Sequence, residues 1–181
     1  MDHALWSRLE AHEIGPAEAP LTFAGRLARE NRWSEDFAAR VIVEYKRFCY
    51  LAVTCAHPVT PSDQVDQVWH LHLTYSREYW RDFCPRVLGQ DLHHGPTTGS
   101  EFDKARYFED YAQTLKAYED LFGGFPEDIW SPASERFGSQ TRAFRVFPDK
   151  VMFWNDWRGM TRVVVLLLVV LMIGIALGKV L

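Results

Sequence analysis

Apolar side chains recur at three- and four-residue intervals through most of the first 125 residues, the spacing that lines one face of a helix. Residues 2–13 form a short amphipathic candidate closed by Gly15 and Pro16. Thr22 is placed to cap a second helix reaching about Trp33. Ser34 is placed to cap a third, in which Phe37, Val41, Tyr45, Phe48 and Ala52 keep helical spacing until His57-Pro58 and Pro61 break it. Ser62 opens a fourth segment, SDQVDQVWHLHLTYSREYWRDFC. Its stripe of Val65, Val68, Trp69, His72, Ser76, Tyr79, Trp80 and Phe83 persists up to Pro85. After a loop through DLHHGPTTGS, Ser100 caps a fifth helix, which carries Phe102, Ala105, Phe108, Tyr111, Ala112, Leu115, Tyr118 and Phe122 on its apolar face. Gly123 and Gly124 end it. Pro126, Pro132 and Pro148 then punctuate a stretch without helical period, so residues 123–160 read as irregular, with a short hairpin near TRAFRVFPDKVMFW.

The pattern changes once more at the C-terminal end. Residues 163–178 read VVVLLLVVLMIGIALG, with no charged side chain and no polar face. At about 1.5 Å per helical residue, Val163 to Leu181 reaches roughly 28 Å, close to the hydrocarbon thickness of a bilayer. Arg162 and Lys179 flank the run and can snorkel to the interfaces, and Trp154 and Trp157 precede it at the level of an aromatic belt. The chain is therefore expected to be all-α. It divides into a helical domain over 1–125, an irregular basic-aromatic juxtamembrane segment over 126–160 and a transmembrane helix over 161–181. MDHALWSRLEAHEIGP has acids and no apolar core, so it does not read as a signal peptide. Lys150, Arg158 and Arg162 before the span, against Lys179 after it, put the N-terminal domain in the cytoplasm of a single-pass, tail-anchored protein.

Composition narrows the partners. The 181 residues are 48% hydrophobic and 24% charged, with 24 Asp+Glu against 20 Lys+Arg and a formal net charge of -4, a balance that argues against a protein whose main task is coating nucleic acid. Three cysteines, Cys49, Cys55 and Cys84, form no CxxC pair and suit a reducing compartment. Between Arg136 and Arg162, Arg142, Arg145, Lys150 and Arg158 alternate with Phe137, Phe144, Phe147, Phe153, Trp154 and Trp157. Beside a membrane span this favours anionic lipid as a partner over single-stranded nucleic acid, the plainer alternative being a packed cap over the helices.

Candidate chemistry lies in the histidines. Of seven, His70, His72, His93 and His94 fall within the fourth segment and the loop after it. Neutral imidazole beside carboxylates is the donor set of a divalent transition metal such as zinc. Residues two apart on a helix point about 200° away from each other, so His70 and His72 do not share one ion on a continuous helix. Asp66 and His70, four apart, do share a face, with Asp63 nearby, whereas His72 lies on the stripe with Val65 and Trp69. The sharper reading has Asp66 and His70 facing His93 and His94, either as ligands or with Asp66 orienting His70. The blander one makes His72 a core histidine bonded to a backbone carbonyl, Asp66 and His70 a surface pair, and HHGPTTG a turn. HExxH, Walker, GxGxxG and GxSxG motifs are absent.

The run VDQVWHLH at 65–72, followed by Tyr79 and Asp82, resembles the D-x-x-W-H-x-H motif of the glycine-rich domain-containing protein-like family, and HHGPTTG resembles a loop of its bacterial, often membrane-anchored members. The resemblance covers roughly residues 20–125, with Asp66, Trp69, His70 and His72 matching position by position. It implies a helical domain and no particular reaction. The chain lacks the glycine-rich region and the RNA-recognition extension of the plant members, so no RNA role is carried over. Asp66, His70, His72, His93 and His94 are thus the candidate metal ligands. The expected function is a membrane-anchored binding or scaffold module, acting on lipid and on a membrane protein partner. The alternatives are a metal-dependent hydrolase, with Asp66 or Asp63 as base, and a metal-free interaction domain.

Overall fold

Four helices begin where a side-chain oxygen satisfies an amide that helical geometry leaves open. In the computed structural model, which describes residues 1–95 and 101–138, Asp2 accepts from Leu5 N–H (3.0 Å) at the start of α1 (His3–Ala11). Thr22 accepts from Gly25 N–H (3.2 Å) at α2 (Phe23–Asn31), and Ser34 from Phe37 N–H (3.1 Å) at α3 (Glu35–Thr54). Ser62 accepts from Val65 N–H (3.2 Å) at α4 (Asp63–Thr74). Each such cap contributes about 1 kcal/mol.

The fourth segment departs from the single helix expected of it. It turns at Tyr75, makes one turn as α5 (Ser76–Glu78) and rewinds as a π-helix over Tyr79–Leu88 that passes through Pro85. Proline in an α-helix meets the carbonyl four residues back, whereas i→i+5 winding is wider and proline costs it only one donor. Gly89, at φ 81°, ends the π-helix by donating to Cys84 O, five residues back, at 2.9 Å. The winding also explains the burial pattern: Tyr79, Phe83, Cys84, Val87 and Leu88 face inward while Trp80 of the expected stripe is exposed, and Ser76, also of that stripe, is exposed in α5 before it.

The long α3 is the central element. It packs against α1, α2, α4, the π-helix and α6 (Glu101–Phe122), and the largest fully buried side chains are aromatic: Trp130, Tyr45, Tyr79, Tyr111, Tyr118, Phe48 and Phe83. One carboxylate is buried among them. Glu44 accepts from Tyr118 OH (2.7 Å), Trp130 Nε1 (3.0 Å) and Arg47 Nη1 (3.0 Å), joining α3, α6 and the segment after α6. That segment is more ordered than its prolines suggest. Pro126 O accepts from Ile129 and Trp130 N–H, both side chains are fully buried, and Pro132 O accepts the first bonds of α7 (Ala133–Gly138). A six-residue helix is too short to show a period, which is why the sequence reads as irregular there. Arg136 and Phe137 cap the bundle, with the Arg136 guanidinium over the Tyr111 ring at 4.7 Å and Phe137 packed against Phe108 and Tyr111.

Among the described residues every regular element is helical and no strand occurs. No helix of these residues is long and apolar enough to cross a membrane. The Ser100 cap, the hairpin near 141–154 and the 161–181 span lie outside the described residues.

Candidate metal centre

Helix α4 sets the geometry. Asp66 and His70 lie one turn apart on its outer face, and His94 reaches them from the segment after the π-helix. The backbone of that segment is pinned by a buried relay: Trp69 Nε1 donates to Tyr79 OH at 2.9 Å, and Tyr79 OH donates to Leu92 O at 2.5 Å. The Trp69 ring then stands edge-on to the His94 ring, 4.5 Å between centroids, so the residue before His70 positions its partner.

His94 Nε2 lies 2.9 Å from Asp66 Oδ1 and 3.1 Å from His70 Nε2, and Asp66 Oδ2 lies 3.6 Å from His70 Nε2. Ligand bonds of about 2.0–2.2 Å at tetrahedral to octahedral angles place donors roughly 2.9–3.4 Å apart, close to this spacing. Two imidazole nitrogens 3.1 Å apart either share a proton or share a cation. The side chains of Asp66 and His94 are 25% and 23% exposed and that of His70 is 52% exposed, so the triad is open to water. It sits at the edge of a cleft of about 790 Å³ whose walls include Pro61, Tyr107, Arg136 and Phe137. Arg136 is fixed there by Asp63 Oδ1 (3.1 Å) and by the Pro61 carbonyl.

The other two candidates fall elsewhere. His93 also lines the cleft, but its ring lies against Trp80, its Nε2 is 3.9 Å from Asp91 Oδ2, and its side chain is 75% exposed. His72 is on the opposite face of α4 and fully buried. Its partners are side chains rather than a backbone carbonyl: Nδ1 meets Tyr45 OH at 2.9 Å and Nε2 meets Glu78 Oε2 at 2.6 Å. His12, at the end of α1, brings Nε2 to 2.7 Å from Glu78 Oε1. Among the described residues there are thus two sets of two imidazoles and one carboxylate, Asp66/His70/His94 and His12/His72/Glu78.

Electrostatics separate the second set from bulk water. Burial pushes the His72 imidazole below its ordinary value, with Glu78 pulling partly the other way. Burial would raise the Glu78 carboxyl, but the adjoining imidazoles of His12 and His72 outweigh it and bring it down to about 2. A neutral imidazole and an ionised carboxylate are the states that ligate metals. The cysteines are far from reactive, since burial pushes the thiols of Cys49, Cys55 and Cys84 up, opposite to an activated thiolate.

Neither His12 nor Glu78 was singled out by the sequence, because no spacing rule links position 12 to 72 and 78. The one available signal was His72 itself, a polar residue on an otherwise apolar stripe that demands buried partners. Compared with models of protein families, with curated proteins and with solved structures, the chain matches none of them.

Proposed function

We propose that the protein binds a divalent transition-metal ion through Asp66, His70 and His94 and uses it, at the edge of the cleft, to activate water for hydrolysis of a small substrate. The observation that carries this reading is the convergence of three donors beside a concave space. Three protein ligands with room for water or substrate are the arrangement of catalytic ions, whereas structural ions are closed by four. Two imidazoles and a carboxylate suit zinc, iron(II) or manganese. Arg136 and Tyr107 in the cleft wall supply a cation and an aromatic ring on which a substrate can be oriented. The domain acts at a cytoplasmic membrane face, held there by residues 163–178, with the basic and aromatic side chains before that run resting on anionic lipid.

The test is the metal content of the tag-free, full-length protein in detergent, by elemental mass spectrometry, beside His70→Ala and His94→Ala. The expected result is bound zinc, iron or manganese, with one equivalent lost in each variant and metal-dependent turnover of model phosphate or carboxylate esters. Metal content unchanged in both variants would overturn the site. Stoichiometric metal without turnover would overturn hydrolysis and leave a binding module.

A further inference from the structure

We propose that His12, His72 and Glu78 form a second, buried site for a divalent transition-metal ion, one that ties the end of α1 to α4 and α5 rather than facing a substrate. The side chains come from two distant parts of the chain, the end of α1 and the adjoining helices α4 and α5, and bring their donor atoms within 4.8 Å of one another. Glu78 divides its oxygens, Oε2 at 2.6 Å from His72 Nε2 and Oε1 at 2.7 Å from His12 Nε2, both shorter than the spacing of donors around one ion, so the side chains draw slightly apart when the ion replaces the shared protons.

The second of these contacts is the decisive one. At 2.7 Å it is short enough for a strong hydrogen bond, yet it is not aligned as one. His12 Nε2 and Glu78 Oε1 are both buried without a hydrogen-bond partner. Buried polar atoms in folded proteins are nearly always satisfied, so each such exception calls for an explanation such as an ion. A cation between the two atoms would satisfy both at once, as a shared proton out of line does not. The His12 side chain is 9% exposed and that of Glu78 23%, but Nε2 and Oε1 themselves are shielded from bulk water.

The surroundings are those of a ligand site. His72 Nδ1 is engaged by Tyr45 OH at 2.9 Å, which fixes the ring and turns Nε2 toward Glu78, the outer support that ligating histidines usually carry. Phe83 packs on both rings, with centroids 5.2 Å from His12 and 4.6 Å from His72, and Phe23 closes another side of His72. The loop carrying His12 is pressed into place at Gly15. There φ is 74°, and a β-carbon would stand 2.8 Å from Cε1 of Tyr75, so only glycine lets the loop lie against that ring. With both Glu78 oxygens engaged the set supplies four donor atoms, the closed count of a structural ion; it suits zinc, iron(II) or manganese, and filling it contributes to folding.

The experiment uses full-length protein in detergent, stripped with a chelator and reloaded with zinc, read by elemental mass spectrometry and by thermal unfolding. The wild type is expected to hold two equivalents. His70→Ala/His94→Ala is expected to hold one and to unfold at a higher temperature with zinc than without. Adding His12→Ala or Glu78→Gln to that double variant removes the last equivalent and the zinc-dependent shift, while far-ultraviolet circular dichroism shows that the helices remain. One equivalent in the wild type, lost in His70→Ala/His94→Ala, overturns this proposal and leaves the open site standing. One equivalent lost only in His12→Ala or Glu78→Gln supports it and overturns the open site instead. Zinc retained by the triple variants overturns it as well.

Discussion

His70 and His72 are two residues apart on one helix and face two different solvents. His70 stands in water at the edge of a cleft, while His72 is fully enclosed by Phe23, Tyr45, Tyr79 and Phe83. Each joins a second imidazole and one carboxylate, so the chemistry of the two triads is nearly the same. What differs is the cost of leaving the donors without a partner. Water satisfies the outer triad at no cost, and its geometry is free to serve a ligand that comes and goes. In the inner triad His72 is enclosed and His12 Nε2 and Glu78 Oε1 are shielded from water, so its geometry depends on the packing around it and in turn supports that packing.

The largest expected effect tests this difference directly. His72→Ala removes a packed ring and leaves Tyr45 OH and Glu78 Oε2 without their partner, so it is expected to cost about 3–5 kcal/mol of unfolding free energy, from the cavity and the stranded polar atoms together. His70→Ala, on a half-exposed side chain, is expected to stay within about 0.5 kcal/mol. Urea unfolding of metal-free protein measures both, and equal costs would erase the distinction between the two faces of α4.

Glu44, buried, and Glu78, whose side chain is 23% exposed but whose Oε1 is shielded, differ in the same way. Glu44 has a complete set of donors in Tyr118, Trp130 and Arg47, whereas Glu78 keeps an oxygen with no hydrogen bond. Glu44→Ala strands three donors and is expected to cost about 3 kcal/mol or more, by the same amount with and without zinc. Glu78→Gln is expected to cost more in zinc than in chelator, because only the ion-loaded state needs the second oxygen. Unfolding curves in the two conditions give the four numbers. A zinc-independent cost for Glu78→Gln would make it a carboxylate of the Glu44 kind.

How far these features can be seen in the sequence follows from their range. The caps at Thr22, Ser34 and Ser62 lie within three residues of the amides they satisfy, so local rules find them. The opposed directions of His70 and His72 are equally local, a consequence of helical pitch alone. The π-helix escaped because Pro85 is a strong breaker of α-helices and carries no signal for the wider winding that admits it. Trp130 and Ile129 escaped because a buried segment held by turns has no period. His12 and Glu78 escaped for the most general reason: a site assembled from distant parts of a chain is visible only after the chain has folded.

A smaller effect is expected at Trp69, which supports the outer triad without entering it. Its indole donates to Tyr79 and its ring edges His94, so Trp69→Phe keeps most of the packing and loses the bond that pins the segment carrying His94. Loss of such outer support typically weakens metal binding about 10–100-fold, and zinc titration of Trp69→Phe is expected to show this at the outer site only. Unchanged affinity would mean that His94 finds its place without the relay.

The smallest effect belongs to His93, adjacent to His94 and lining the same cleft. Its ring lies tilted against Trp80, its side chain is 75% exposed, and its Nε2 is 3.9 Å from Asp91 Oδ2, so it contributes little packing and no converging donor. His93→Ala is expected to leave unfolding free energy within about 0.5 kcal/mol and zinc affinity within about twofold of the wild type. The measurement is informative because the opposite result has a definite meaning. A large loss of zinc on removing His93 would show that its ring swings in as a fourth ligand, and a site with four protein ligands has no position for water or substrate. The outer triad would then be a closed structural centre, and its contrast with the inner one would lie only in exposure.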